Sequence, residues 1–306
     1  MATTTEALRL TLPDGSVREV TPGTTPLEVA AAIGPRLARD AVGAELDGRR
    51  VDLRQPLASG GSFRIFTVQS PEAGELLRHT AEHVLADAVK RLWPEAEIDV
   101  GRKDHSEKFQ YDFRFPRAFT PEDLAAIEDE MRRILAEGSE LERLEVSREQ
   151  AAELFRERGE TLKLERLKEI PAGEPITLFR HGGFVDLCRG PHARRTSQIG
   201  AVKLLESSGS FWKGDEAGER LQRIYGTAFA TPAELEAYQA RLEEARARDH
   251  RRIGQELDLF SFNPLAPASP FLLCATGSAL RQRGSTCSAM SAARANKGSS
   301  SGRELE

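Results

Sequence analysis

Along residues 1-67, apolar and polar positions alternate in short runs, the period of half-buried strands. Leu8-Arg-Leu-Thr-Leu and Ser16-Val-Arg-Glu-Val flank Pro13-Asp14-Gly15, which predicts a hairpin. Thr25-Pro26-Leu27-Glu28 opens a short apolar helix, with the threonine hydroxyl as N-cap and Pro in the first turn. Two more strands are expected around Ala41-Val-Gly-Ala-Glu-Leu and Ser62-Phe-Arg-Ile-Phe. Two strands, a helix and two or three further strands predict a small ubiquitin-like β-grasp domain over 1-67, with no candidate catalytic cluster of its own.

Pro71-Glu-Ala-Gly74 marks a boundary, after which the period becomes helical. Leu76, Leu77, Ala81, Val84, Leu85, Ala88 and Val89 fall on one helix that must stop at Trp93-Pro94. A strand at about 108-115, a capped helix from Thr120 to about Glu137, a strand over 141-146, a second capped helix over 147-159 and a strand pair over 176-188 follow. This is an α+β layout, predicted for 72-228. From Thr231 to about Glu256 the chain is charged and reads as an interdomain helix within a linker region, 229-271. From about Leu272 it becomes rich in Ser, Ala, Arg and Gly and loses any apolar period, so 272-306 is expected to be disordered.

The chemistry lies in two segments. His79 and His83, four apart on the predicted helix, share one face, and Asp186-Leu-Cys188-Arg-Gly-Pro-His192 follows about a hundred residues later. An i,i+4 histidine pair alone is often only a hydrogen-bonded pair at a core edge. Cys-Arg-Gly-Pro-His is loop chemistry, in which Gly and Pro fix a turn and leave side chains projecting from a rigid scaffold. If the segments meet, three imidazoles and a thiol converge. The zinc-protease motif is excluded, because it needs Glu directly after the first His and this chain has Thr80. Zinc itself is not excluded, since two His, one Cys and one more His would complete a tetrahedron. The metal-free alternative has the same groups position and deprotonate a water, with Asp186 orienting an imidazole or receiving a substrate amine.

At 306 residues the chain is long enough for two or three domains, and its net charge of -5 gives no global basic field. A local patch for RNA remains available in Arg180, Arg189, Arg194, Arg195, Lys203 and Lys213. No apolar run approaches the roughly 20 residues of a membrane span, and the first residues lack a signal-peptide pattern, so a cytoplasmic location is expected. Cys188, Cys274 and Cys287 are too few and scattered for a disulfide framework, which leaves Cys188 a free thiol.

Together with Gly209-Ser-Phe-Trp-Lys-Gly-Asp215, Leu221-Gln-Arg-Ile-Tyr-Gly-Thr-Ala228 and Arg248-Asp-His-Arg-Arg-Ile-Gly-Gln-Glu-Leu-Asp-Leu259, these motifs resemble the N-terminal half of threonyl-tRNA synthetase, over about residues 1-271. The resemblance implies a TGS-like domain over 1-67 and an editing domain over 72-228 that hydrolyses serine wrongly attached to the threonine tRNA. It implies His79, His83, Cys188 and His192 as the water-activating and substrate-positioning cluster, Asp186 as a contact to the aminoacyl amine and Lys163 as a further catalytic residue. Tyr111 would wall the pocket, and Arg189 and Lys213 would contact the tRNA acceptor end. The family's editing site works through water without a metal, whereas the related alanyl-tRNA editing domains hold zinc with a similar set. No cofactor is therefore expected, with zinc on the four-residue cluster as the alternative.

The chain departs from the family around Gly101-Arg-Lys-Asp-His-Ser-Glu-Lys-Phe109, which opens the question of what His105 does there. The ligase domain should begin near Asp258, but its motifs for ATP, threonine and zinc do not appear, nor does an anticodon-binding domain. The composition after Phe271 is what an out-of-frame reading of a GC-rich gene would give. The expectation is an editing hydrolase without ligase activity, monomeric because the dimerising ligase domain is missing, that meets tRNA(Thr) and neither DNA nor membrane. A non-catalytic tRNA-binding fragment and a zinc-dependent deacylase are the alternatives.

Overall fold

A computed structural model describes residues 6-248, 253-254, 256-257, 260-263 and 266-272. The expected disorder of the tail falls, apart from Leu272, outside the described residues. Contacts divide the chain into one unit over 1-238 and another over 239-306.

The first unit opens with β1 (Leu8–Thr11) and β2 (Val17–Val20), the predicted hairpin, turned at Gly15 with φ 80°. Helix α1 (Pro26–Ile33) carries the predicted cap: Thr25 Oγ1 accepts from Glu28 N–H and the Glu28 carboxylate accepts from Thr25 N–H. A short α2 (Pro35–Asp40), β3 (Ala41–Leu46), β4 (Arg49–Val51) and β5 (Gly61–Thr67) complete the domain. The sheet order β2-β1-β5-β3-β4, with β1 and β5 parallel at its centre, is the β-grasp arrangement. Its core is purely apolar and includes Leu10, Val29, Leu53, Leu57 and Phe63.

Helix α3 (Ala73–Leu92) is the axis of the α+β domain, and most of its residues are buried, charged ones included. It packs against α4 (Pro121–Glu137) and against a four-stranded sheet ordered β11-β12-β7-β6. Those strands are β6 (Glu97–Gly101), β7 (Phe109–Arg114), β11 (Ala201–Phe211) and β12 (Arg220–Phe229). α4 is capped by Thr120 and Asp123 and ends at Gly138, whose φ of 64° supplies the left-handed stop.

A smaller sheet, β10-β9-β8, carries the second predicted segment: β8 (Glu142–Val146), β9 (Ile176–His181) and β10 (Phe184–Leu187). It is covered by α5 (Arg148–Glu157) and α6 (Thr161–Glu169), with Phe155, Leu167, Ile176 and Leu178 as its own core.

The expected helix after Thr231 begins as α7 (Pro232–Ala247); Ile253, Gly254 and Glu256 are also helical, and 249-252 lie outside the described residues. In the second unit, β13 (Phe260–Asn263) pairs with β14 (Ala266–Leu272). The mixed α+β class stands as read. Sequence periodicity missed α2, β4, β6, α6 and the long β11/β12 pair. Glu206, Ser208 and Ser210 alternate with other small or polar residues there, so one face carries no apolar stripe. Among the described residues no helix is long and apolar enough to cross a membrane.

Candidate hydrolytic site

The two segments meet. His79 and His83 project from α3, and Cys188 and His192 come from the loop after β10. One ligating atom from each of the four lies within 4.8 Å of all the others. His79 Nε2 is 3.3 Å and His192 Nε2 is 3.2 Å from Cys188 Sγ, and Gly190 N–H donates to the same sulfur at 3.3 Å. His79 and His192 rings stand 4.0 Å apart. Gly190 is required in this loop: its φ is 70°, and a Cβ there would meet the Phe179 ring at 2.7 Å.

Tautomers follow from the partners. His79 Nδ1 lies 3.0 Å from the Pro191 carbonyl, which can only accept, so Nδ1 carries the proton and Nε2 presents a lone pair to the thiol. His192 Nε2 then donates to sulfur, and its buried Nδ1 has no partner among the described residues, nor has Nδ1 of His83. Burial lowers the pKa of His79 despite the nearby Glu82 charge, and lowers that of His192 further, with the charges of His79 and His83 adding to the effect. Both imidazoles are therefore neutral at neutral pH and able to accept a proton.

Behind the cluster sits a closed polar triangle. Asp186, on β10, takes Lys163 Nζ at 2.5 Å on one oxygen, together with its neighbour's Leu187 N–H at 2.7 Å. The other oxygen accepts from Tyr111 Oη, and Lys163 donates to that hydroxyl at 2.8 Å. The Lys163 and Asp186 side chains are each 2% exposed. Burial alone would raise the Asp186 pKa, but Lys163, His83 and the Tyr111 hydrogen bond hold it below its usual value. Burial and the Asp186 charge push the Tyr111 phenol well up, which keeps it a donor. His83 Nε2 lies 3.9 Å from Asp186, close enough to feel its charge and too far for a hydrogen bond. Both Asp186 oxygens are thus engaged by the protein itself, and an incoming amine would have to displace one of these partners.

Arg189 and Lys213 stand outside this group. Arg189 is exposed and pairs with Glu174 at 2.8 Å, and Lys213 pairs with Glu169 at 2.6 Å. The rest of the basic patch is paired as well: Arg180 with Glu142, Arg194 and Arg195 with Glu140, and Lys203 with Glu128. Each of these bases lies beside an acid, but Glu140 serves two arginines and Glu128 and Glu169 are shared with Arg132 and Arg166.

Three further groups had no signal in the motif. Glu82, between the two histidines, is 2% exposed and accepts from the backbone N–H of Arg102 and Gln110, and burial raises its pKa to about 8. His105 answers the question its loop posed: it lies buried against His79, rings 4.4 Å apart, with Nε2 3.0 Å from Glu82. Burial and the His79 charge lower its pKa to about 3. His79, Glu82 and His105 also converge closely enough to form a ligand set, sharing His79 with the first. Third, Asp52 and Arg54 of the β-grasp domain, which has no catalytic cluster of its own, reach the backbone of the His192 loop. A surface hollow of about 650 Å³ between α5 and α6 holds none of these groups, so chemistry rather than size marks the site.

A β-grasp domain joined to an α+β domain with a buried His/Cys cluster defines the class. Residues 8–67 match the TGS domain, and residues 176–225 match the threonyl and alanyl tRNA synthetase second additional domain, which includes Asp186, Cys188 and His192 but not α3. The chain is 47% identical over 266 residues to the threonine–tRNA ligase of Symbiobacterium thermophilum, covering 87% of this chain and 41% of that protein. It is 48% identical over 252 residues to that of Nitrosococcus oceani, covering 82% of this chain and 39% of that protein. With the Citrifermentans bemidjiense enzyme it shares 45% over 274 residues, 90% of this chain and 43% of that protein. The chain therefore carries a TGS and an editing domain, corresponds to the N-terminal portion of these threonine–tRNA ligases, and spans about two fifths of the length of the curated relatives it matches.

Proposed function

We propose that this chain is a tRNA-editing hydrolase that cleaves serine from mischarged Ser-tRNA(Thr) and does not ligate threonine. The observation that carries this is the convergence of His79, His83, Cys188 and His192 from segments far apart in sequence, with two imidazoles held neutral. The need for such a site is physical. A pocket that recognises threonine by its hydroxyl can reject serine only through one missing methyl, worth roughly 1–3 kcal/mol, so a second site that excludes the methyl must correct the error.

In this reading the half-buried edge formed by His79 and Cys188 receives the ester carbonyl and a water. A neutral imidazole takes the water's proton as oxygen attacks the carbonyl carbon, and returns it to the ribose oxygen as the ester bond breaks. Cys188 sits between the two imidazoles and fixes their orientation. Asp186, Lys163 and Tyr111 act from behind: the triangle sets the field at His83, and Tyr111 closes the pocket. Arg189 and Lys213 would exchange their acidic partners for phosphates of the acceptor end. Domain limits at 1-67, 72-228, 229-271 and 272-306, a monomer in solution and a cytoplasmic location belong to the same proposal.

A zinc-dependent deacylase is the second reading, favoured by a donor set of three imidazoles and a thiol within 4.8 Å and by the partnerless buried Nδ1 atoms of His83 and His192. His79, His83, Cys188 and His192 would hold the ion, which supplies Lewis acidity and a more acidic water when bound. The test is hydrolysis of Ser-tRNA(Thr) beside Thr-tRNA(Thr) by the purified chain, with and without a chelator. Chelator-insensitive loss of serine alone supports the metal-free editing reading, and chelator-sensitive loss supports the second. Salt-sensitive tRNA binding without turnover of either substrate defeats both and leaves a binding fragment.

A further inference from the structure

The loop that carries Cys188 and His192 is held from two sides, and one side belongs to the other domain. Asp52 is 2% exposed, and its Oδ2 accepts from His192 N–H at 3.0 Å. Its two oxygens also clamp Arg54, at 2.7 and 2.8 Å. Arg54 in turn donates to the carbonyls of His192 at 3.1 Å, Ala193 at 3.4 Å and Leu141 at 2.5 Å. Its guanidinium lies 5.6 Å from the centre of the Phe179 ring, which also packs on the His192 imidazole at 4.4 Å. From the α3 side, Thr80 Oγ1 accepts from Ala193 N–H at 2.9 Å.

We infer that Asp52 and Arg54 are positioning residues for the His192 imidazole, so that the β-grasp domain is a working part of the hydrolytic site. A buried Asp–Arg pair that only joined two domains would satisfy its own oxygens and stop. Besides the Ala193 and Leu141 carbonyls, this pair engages both backbone groups of one cluster residue, the N–H of His192 through Asp52 and its C=O through Arg54. Fixing both peptide groups fixes the direction of the Cα–Cβ bond between them, and with the Phe179 ring packed on the imidazole at 4.4 Å to restrict its rotation, this holds His192 Nε2 3.2 Å from Cys188 Sγ. A displacement of about 1 Å at a reacting group can cost about 10²-fold in rate.

The inference rests on the proposed hydrolysis for its rate effect but not for its geometry, and the experiment separates the two. In the full chain, Asp52→Ala, Arg54→Ala and the conservative Asp52→Asn are compared with wild type by imidazole nitrogen NMR, with the His192 signals assigned by their loss in His192→Gln. Expected are shifted or broadened His192 ring signals in both alanine variants, unchanged His181 signals, and near-restoration in Asp52→Asn, which keeps an acceptor for His192 N–H. Deacylation of Ser-tRNA(Thr) should fall in kcat by about 10²-fold in the alanine variants with KM little changed. Unmoved His192 signals in folded alanine variants, even with a lowered Tm, would show a merely structural joint and overturn the inference. Should an alanine variant fail to fold, Asp52→Asn beside Arg54→Lys decides: wild-type His192 signals in Asp52→Asn with shifted ones in Arg54→Lys, which loses the fork, support positioning, and unshifted signals in both overturn it. A wild-type chain that does not deacylate defeats the proposed function while the NMR comparison still decides this one.

Discussion

The β-grasp domain and the domain built on α3 bury different things. The first encloses Leu10, Val29, Leu53 and Phe63 and keeps its charges outside, save the Asp52–Arg54 pair that faces its neighbour. The second buries Glu82, His83, Asp87, His105, Lys163, His181, Asp186 and His192 together with a larger apolar core. Buried ionisable groups cost desolvation free energy unless each finds a partner, and apolar packing would be as stable or more so. A domain that buries so many, drawn from α3, α6, β9, β10 and two loops, gives up stability for a site, whereas the first domain is built for stability and for holding the other's loop.

The largest effect that would sharpen this contrast is on turnover. His79→Ala is expected to lower Ser-tRNA(Thr) deacylation by about 10²–10⁴-fold, with a Tm near wild type because Ala suits a helix and the position is only half buried. Parallel loss of fold and activity would make the cluster structural. Next, Lys163→Met strips the buried Asp186 of its counter-charge and should destabilise by about 3–5 kcal/mol in urea unfolding. Removing Arg9 from its exposed pair with Glu19, both side chains more than half exposed, should change little.

A smaller effect follows from pH. Burial, with the His83 charge, lowers the His181 pKa to about 4 in the folded chain, whereas an unfolded histidine titrates near 6.5. The unfolded chain binds this proton first as pH falls. The contribution is therefore complete above about 6.5 and is lost toward pH 4, at about 1.4 kcal/mol per pH unit. Glu82 has the opposite sign, since a folded-state pKa of about 8 favours the folded chain at low pH and that benefit fades as pH rises from about 4.5 through 8. Urea midpoints at pH 4.5, 5.5 and 6.5 should rise less steeply in His181→Phe than in wild type, and an equal slope would remove His181 from the account. A further small effect belongs to the first domain: Thr25→Ala removes the α1 cap and should cost about 1 kcal/mol without touching turnover. A change in turnover there would mean that the β-grasp helix, and not only the Asp52–Arg54 pair, is coupled to the site.

Much of this was legible in the chain. The Pro13-Asp14-Gly15 hairpin, the capping boxes at Thr25, Thr120 and Ser147 and the apolar stripe of α3 are local: each depends on residues within a turn of one another, and each forms as the pattern says. The four cluster residues were legible for the same reason, as two short motifs with fixed internal spacing. What only the tertiary structure decided was partnership across long separations. Asp52 meets His192 N–H across 140 residues, Lys163 meets Asp186 in a closed triangle with Tyr111, His105 comes to lie on His79, and each base of the patch lies beside an acid, with Glu140 shared by Arg194 and Arg195. Hydrogen bonds and ion pairs act over a few ångströms and have no period along the chain, so the sequence can name the groups that need partners but only packing assigns them.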